Sequence, residues 1–235
     1  AYPRKVDFKK FSQIAKKVGA YLLADTSHIT GLIVGGVHPS PFPWADVVMT
    51  TTHKTLRGPR GAIIICKKEL EEKIFPKVFP GMQGGPHEHT VCAIGVALKE
   101  AMSPKFKKYA TQIVKNAKAL AEALKKYNFN LISGGTDNHL VLVDLRNKGI
   151  TGKPAQELLE KAGIVTNRNT IPYDPRIPYD PSGIRLGTPA LTTRGMKEKE
   201  MRKIVSWINE VISNPKSASK IKKAVKKLCQ KFPIR

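Results

Sequence analysis

The residue pattern predicts an α/β fold. Three apolar runs, 20–28 (AYLLADTSH), 45–51 (ADVVMTT) and 61–67 (GAIIICK), stand apart from one another across long loops or a turn. Runs of this kind, without strict alternation, point to strands of a sheet covered on both faces. Past residue 100 the pattern changes to a long helix followed by shorter strands and helices. We therefore place a boundary there, with residues 1–100 as part of a larger sheet domain and 101–235 as a smaller α+β domain.

The elements follow in order. Asp7 to Val18 reads as an amphipathic helix with Phe8, Phe11, Ile14 and Ala15 on one face and Gly19 as its stop. The turn LRGPRG joins the second and third strands. Val91–Met102 and Phe106–Tyr127 read as helices, the second with Ile113, Ala117, Leu120 and Leu124 on its apolar side. HLVLVDL (139–145) alternates like a half-buried strand, Pro154–Ala162 is a short helix, and GIVTN (163–167) reads as another strand. A Pro-rich loop leads to IRLGTPAL and a helix over about 196–213. No internal repeat is expected.

Composition narrows the classes. The 235 residues suffice for a buried core, and 41% hydrophobic content argues against disorder. No apolar run approaches the length of a membrane span, and AYPRKVDFKK lacks the apolar region of a signal peptide. Cys66, Cys92 and Cys229 are odd in number and lack metal-ligand spacing, so they read as thiols of a reducing compartment, most simply the cytoplasm; no metal site is expected. Net charge is +23, and residues 216–235 hold eight basic residues and no acid. That tail still shows Ile221, Val225 and Leu228 at helical spacing, so a solvated helix face competes with binding of an anionic partner such as RNA.

Chemistry concentrates around TTTHKTLRGPRG (50–61). A lysine at a strand end is suited to a Schiff base with a carbonyl, most commonly that of pyridoxal phosphate. Such a cofactor needs an acid facing its ring nitrogen, and Asp25 ends the preceding strand; adjacent parallel strands would bring Asp25 and Lys54 to one crevice. Thr51, Thr52 and the Gly84-Gly85 turn offer small, donor-rich backbone for a phosphate. Taken singly, each has a plainer reading: an aspartate at a strand end is often a cap, Gly-Gly is often a turn, and His28, His53 and His139 suit structural roles.

The longer motifs decide between these readings. VVMTTTHKTLRGPRG resembles the cofactor-lysine segment of serine hydroxymethyltransferase, also called glycine hydroxymethyltransferase. ADTSHITGLIVGGVHPSPFPWADVV, FPGMQGGP, SGGTDNHLVLVDLR, NRNTIPYDP and SGIRLGTPALTTRG resemble further segments of that family in the same order. The resemblance implies a pyridoxal-phosphate-dependent transferase of fold type I, like aspartate aminotransferase. It implies that Lys54 forms the Schiff base, that Asp25 pairs with the pyridinium nitrogen, and that His28 lies beside the ring. Thr51 and His53 border the Schiff base and phosphate, while Gly84 and Gly85 reach the phosphate of a neighbouring subunit in a homodimer. Arg185 clamps the amino-acid carboxylate, and Asn169 belongs to the loop that binds tetrahydrofolate. The implied reaction converts L-serine and tetrahydrofolate to glycine and 5,10-methylenetetrahydrofolate, in one-carbon and amino-acid metabolism.

Departures from the family pattern are local. Thr26-Ser27 stands where Met-Ala is usual, Ala62 stands where Gly is common, and YDPSGIR differs from the usual wording before the arginine. A full family member also has a further N-terminal stretch of comparable size. It carries a tyrosine and a glutamate for proton handling, a Gly/Ser phosphate cup and the residue stacked on the ring. None of these motifs occurs in 1–235, so the resemblance covers about the C-terminal half, and the expectation is a chain inactive by itself. Two other readings are kept: a folate-independent aldolase, and a non-catalytic chain that binds an anionic partner or a full-length subunit.

Overall fold

The structure, a computed structural model, describes residues 1–234. It separates into two compact units, one of residues 5–111 and one of residues 1–4 together with 112–235, with the division falling inside one long helix.

The first unit opens with α1 (Phe8–Lys17), capped by the Asp7 carboxylate, which accepts the Lys10 N–H at 3.0 Å, and stopped beyond Val18 by Gly19 at φ 65°. The helix is where its sequence placed it, but its orientation differs. Phe8 and Ser12 face inward, whereas Phe11 and Ile14, expected on the buried face, are exposed. Next come β1 (Leu23–Asp25), α2 (Thr30–Val34), β2 (Val47–Thr51), β3 (Ala62–Cys66), α3 (Glu71–Pro76) and α4 (Glu88–Ala101), then the first turns of α5 (Pro104–Lys126). The sheet order is β1-β2-β3. Strand β1 runs parallel to β2 with Asp25 opposite Met49, and β3 runs antiparallel to β2 with Ala62 opposite Thr51.

Small cores hold this unit, among them one of Phe8, Ala24, Ala45 and Val48 and one of Leu56, Ala101 and Phe106. The expectation of a sheet covered on both faces fails at β3, where Ile64 is 47% and Ile65 45% exposed. The sheet ends at β3, and one face of that strand opens onto a cavity described below. An apolar run records the chain's tendency toward burial; it does not supply the neighbour that would do the burying.

The second unit holds the rest of α5, then β4 (Asn130–Leu131), β5 (Leu140–Asp144), α6 (Gly152–Lys161), β6 (Asn167–Asn169), β7 (Gly183–Gly187), α7 (Pro189–Thr193), α8 (Glu198–Ser213) and α9 (Ala218–Lys231). Its sheet, β4-β5-β7-β6, is antiparallel throughout. All five residues of β5 are buried, so it is a central strand rather than the half-buried one expected from its pattern. The expected strand at 163–167 forms only from Asn167. Gly163 at φ 77° ends α6, Val165 lies exposed, and pairing begins where Asn167 meets Arg185.

Side chains from α5, α6, α8 and α9 cover this sheet in one continuous core, with Leu124, Leu159, Ile184 and Met201 fully buried. The tail helix belongs to it: Ile221 is buried, and Val225 and Leu228 pack alongside. Buried Asn116 ties α5 to the chain around α7, donating to the Thr192 hydroxyl at 2.8 Å and the Met196 carbonyl at 2.9 Å.

The loop between β6 and β7 contains Ile-Pro-Tyr-Asp-Pro twice, at 171–175 and 177–181, a short tandem that corrects the expectation of no repeat. Its organising centre is Asp174, whose carboxylate accepts from the Ser182 hydroxyl (2.7 Å) and N–H (2.9 Å) and from the N–H groups of Arg176 (3.0 Å) and Ile171 (3.2 Å). Burial alone would raise this carboxyl, but the hydrogen bonds from Ser182, Arg176 and Ile171 outweigh it and hold the pKa at about 2. The three cysteines are free thiols. Among the described residues no helix is long and apolar enough to cross a membrane, and no group of three or more His, Cys, Asp or Glu could hold a metal ion.

Candidate active site

Parallel pairing of β1 with β2 puts the C-terminal ends of both strands on the same side of the sheet, and the loops that leave them are knitted together. The Thr26 N–H donates to the Met49 carbonyl at 2.9 Å, and its hydroxyl reaches the same oxygen at 3.1 Å. The Ser27 hydroxyl accepts the Thr51 N–H at 3.1 Å, while the Ser27 N–H donates to the Asp25 carboxylate at 2.9 Å. Farther along, the Thr55 hydroxyl donates to the His28 carbonyl at 2.9 Å and accepts the Gly31 N–H at 3.0 Å. A Cβ on Gly31 would lie 2.1 Å from the Thr55 carbonyl oxygen, so only glycine allows α2 to approach the Lys54 turn this closely.

The turn itself is short and closed. The Thr52 N–H donates to Gly61 at 2.9 Å, the Gly58 N–H returns to Thr52 at 2.7 Å, and the Thr52 hydroxyl donates to Pro59 at 2.6 Å. Arg57 sits at φ 64°, a conformation uncommon outside glycine, with its guanidinium 4.6 Å from the centre of the Tyr109 ring. Within this frame the half-buried Lys54 ammonium donates to the Thr51 hydroxyl at 3.1 Å.

Asp25 is solvent-exposed at the end of β1. Burial pushes its carboxyl up, but the hydrogen bonds from the Ser27 side chain and N–H, with the Lys54 charge nearby, hold it below its usual range. An ionised carboxylate and a primary amine at neighbouring strand ends can together receive a protonated heteroaromatic ring bearing an aldehyde. The acid would face the cationic ring nitrogen and the amine would face the carbonyl. The residues present thus fit the cofactor expected from the motifs.

The other candidates sit as follows. His28 is half-buried on the loop after β1, with its carbonyl engaged by Thr55. His53 lines a cavity of about 590 Å³ between β3, α3 and the chain near Gln83; Lys54 is not among the cavity's lining residues. The buried Nδ1 of His53 has no hydrogen-bond partner among the described residues. Ala62, one of the departures from the family pattern, lines the same cavity. Gly84 and Gly85 lie on an exposed stretch before α4, with nothing within 4 Å of where either Cβ would be. That stretch is open to an outside group.

In the other unit, Arg185 stands on β7, paired with Leu142 on one side and Asn167 on the other. Its side chain is half-buried and makes no ion pair or hydrogen bond among the described residues. A guanidinium so placed is available to a carboxylate ligand. The Asn169 side chain donates to the Thr170 carbonyl at 2.7 Å.

Ser27, Thr55 and Gly31 hold the site together but were not singled out from sequence as functional. The signal for Ser27 was present as one half of the Thr26-Ser27 departure. In the structure both residues are buried, and their hydroxyls provide links that Met-Ala could not make.

Comparison with known proteins agrees with these motifs. The serine hydroxymethyltransferase family model matches residues 1–208. A curated serine hydroxymethyltransferase from Desulfotalea psychrophila is 56% identical over 236 residues, covering 99% of this chain and 56% of that protein. The chain therefore spans about half the length of the curated relative it matches.

Proposed function

The chain belongs to the serine hydroxymethyltransferase family, and from that premise we propose that the protein interconverts L-serine plus tetrahydrofolate with glycine plus 5,10-methylenetetrahydrofolate. The family is pyridoxal-phosphate-dependent with fold type I. The observation that carries the reading is the juxtaposition of Asp25, the last residue of β1, with Lys54, in the turn just past the end of the parallel strand β2, linked through Ser27 and Thr51.

Lys54 would hold the cofactor through its amine, Asp25 would face the ring nitrogen, and His28 would flank the ring. Thr51 and His53 would border the amine and the phosphate. When bound, the cofactor supplies an electron sink for the bond to be broken at the amino acid. Each protein group then has a defined task. Thr51 accepts a hydrogen bond from the Lys54 ammonium and so fixes the amine at the strand end. The hydrogen bonds from Ser27 lower the Asp25 carboxyl below its usual range, favouring the charged form that would face the ring nitrogen. Arg185 offers two parallel N–H donors to the substrate carboxylate and so orients the amino acid. Asn169 lies in the loop assigned to the folate. Gly84 and Gly85, open to solvent, serve the phosphate of a second subunit in a homodimer.

The test combines spectroscopy and turnover. Addition of pyridoxal phosphate to the chain together with the N-terminal stretch of a full-length family member should produce a visible absorbance band that Lys54→Ala lacks, and serine cleavage by that assembly should require tetrahydrofolate. A band that survives Lys54→Ala would overturn the role of the lysine. Cleavage at the same rate without folate would favour an aldolase instead.

A further inference from the structure

The tail helix α9 has two faces with different fates. Ile221 is buried in the core of its unit, with Ala224, Val225 and Leu228 packed beside it. The opposite half of the cylinder carries Lys220, Lys222, Lys223, Lys226, Lys227 and Lys231, all exposed. Lys220, Lys223, Lys227 and Lys231 follow at intervals of three and four and form a row along the axis, with Lys222 and Lys226 beside it. Fourteen residues at about 1.5 Å each make the row's helix about 21 Å long.

Almost none of this charge is neutralised. The acids on the elements packed against α9 are Glu157 and Glu160 on α6 and Glu198, Glu200 and Glu210 on α8. Of these, Glu210 reaches α9, pairing with Lys220 at 3.2 Å. Lys222, Lys223, Lys226, Lys227 and Lys231 form no ion pair among the described residues. An uncompensated row of lysines on a rigid helix costs self-repulsion, which a polyanion would relieve.

We infer that the lysine face of α9 is a docking surface for the phosphodiester backbone of a nucleic-acid duplex. A membrane surface fits less well, because the apolar stripe an interfacial helix would insert is already committed to the core. The exposed half of α9 carries no aromatic residue on which an unpaired base could stack, so recognition rests on phosphate charge and is independent of sequence. RNA and DNA duplexes present the same phosphodiester chemistry, and the experiment separates them.

The test is fluorescence anisotropy with labelled RNA and DNA duplexes of mixed sequence across a salt series. The wild-type chain is compared with the quadruple variant K222Q/K223Q/K226Q/K227Q, which keeps helix-favouring side chains. A control triple variant, K105Q/K107Q/K108Q, neutralises charge elsewhere. Circular dichroism melts establish that all three fold alike. The expected result is that the α9 variant loses at least tenfold in affinity and that its log–log salt slope falls by about 3 to 4, while the control changes both far less. Tighter binding of RNA than DNA would assign the surface to RNA. Equal loss in the two variants, or no binding of either duplex at 50 mM salt, would overturn the inference. So would sedimentation with anionic vesicles in the absence of duplex binding.

Discussion

In the unit built on β5 and β7, Val141, Val143, Leu159 and Ile184 are fully buried in one continuous core. In the unit built on β2, Ile64 and Ile65 of β3 remain half open, and Phe11, Ile14 and Val18 line the outside of α1. The two units share a chain and a similar supply of apolar residues, yet they rest on different forces. The β5–β7 unit is held by burial. Around Lys54, in the β2 unit, order comes from hydrogen bonds that the hydroxyls of Thr26, Ser27, Thr52 and Thr55 make to the backbone of Met49, Thr51, Pro59 and His28, backed by small apolar clusters. A site assembled this way is defined by loop-to-loop geometry rather than by core packing.

The contrast can be broken most forcefully by a matched pair of truncations. Leu159→Ala removes a fully buried side chain and should cost about 2–5 kcal/mol in urea unfolding, whereas Ile64→Ala should cost under about 1 kcal/mol. Equal losses would mean that β3 is covered in solution and that the contrast is false. Next in size is Gly31→Ala, whose new methyl meets the Thr55 carbonyl. We expect a loss of about 1–3 kcal/mol, with hydrogen-exchange protection falling in 26–31 and 50–58 and unchanged in β5 and β7.

A smaller effect tests the polar anchor of the core-rich unit. The Asp174 carboxyl lies at about 2 in the folded chain against an ordinary 3.8, so its contribution is complete above about pH 4 and disappears as pH falls toward 2. Asp174→Asn should lower stability by about 1–2 kcal/mol at neutral pH, allowing for partial exposure of the group, with the difference much reduced near pH 2 and lost below it. A difference from wild type that persists unchanged at pH 2 would remove the carboxylate's charge as the cause. The finest effect concerns Asp25. Ser27→Ala removes the side-chain hydrogen bond that helps lower its pKa, so the carboxyl resonance of Asp25 should titrate at higher pH than in wild type, with a loss of about 1 kcal/mol in unfolding from the Thr51 N–H left without its acceptor. An unmoved titration would leave Ser27 as a structural link only.

Much of this arrangement was legible in the residues. The Gly19 stop of α1, the long α5, the parallel order of β1 and β2 and the placement of Asp25 at the end of one and Lys54 just past the other follow from local pattern and motif. What escaped depended on neighbours distant in sequence. The outward turn of Phe11 and Ile14 is decided by which side of α1 meets Ala24 and Val48. The complete burial of β5 depends on its place between β4 and β7 under a cover of helices. Ser27 and Thr55 look like ordinary loop hydroxyls until folding places them opposite Thr51 and Gly31, 24 residues away in each case.

The meeting of Gly31 with Thr55 has a mechanical consequence. With the first residues of α2 seated directly on the backbone of the Lys54 turn, neither loop has slack of its own. A displacement of the acid-bearing loop would strain the amine-bearing turn at this contact, so the two loops jointly set the backbone gap between Asp25 and Lys54. Evolution could alter what surrounds that gap with little effect on its width, but adding one methyl group at the pivot would reset it.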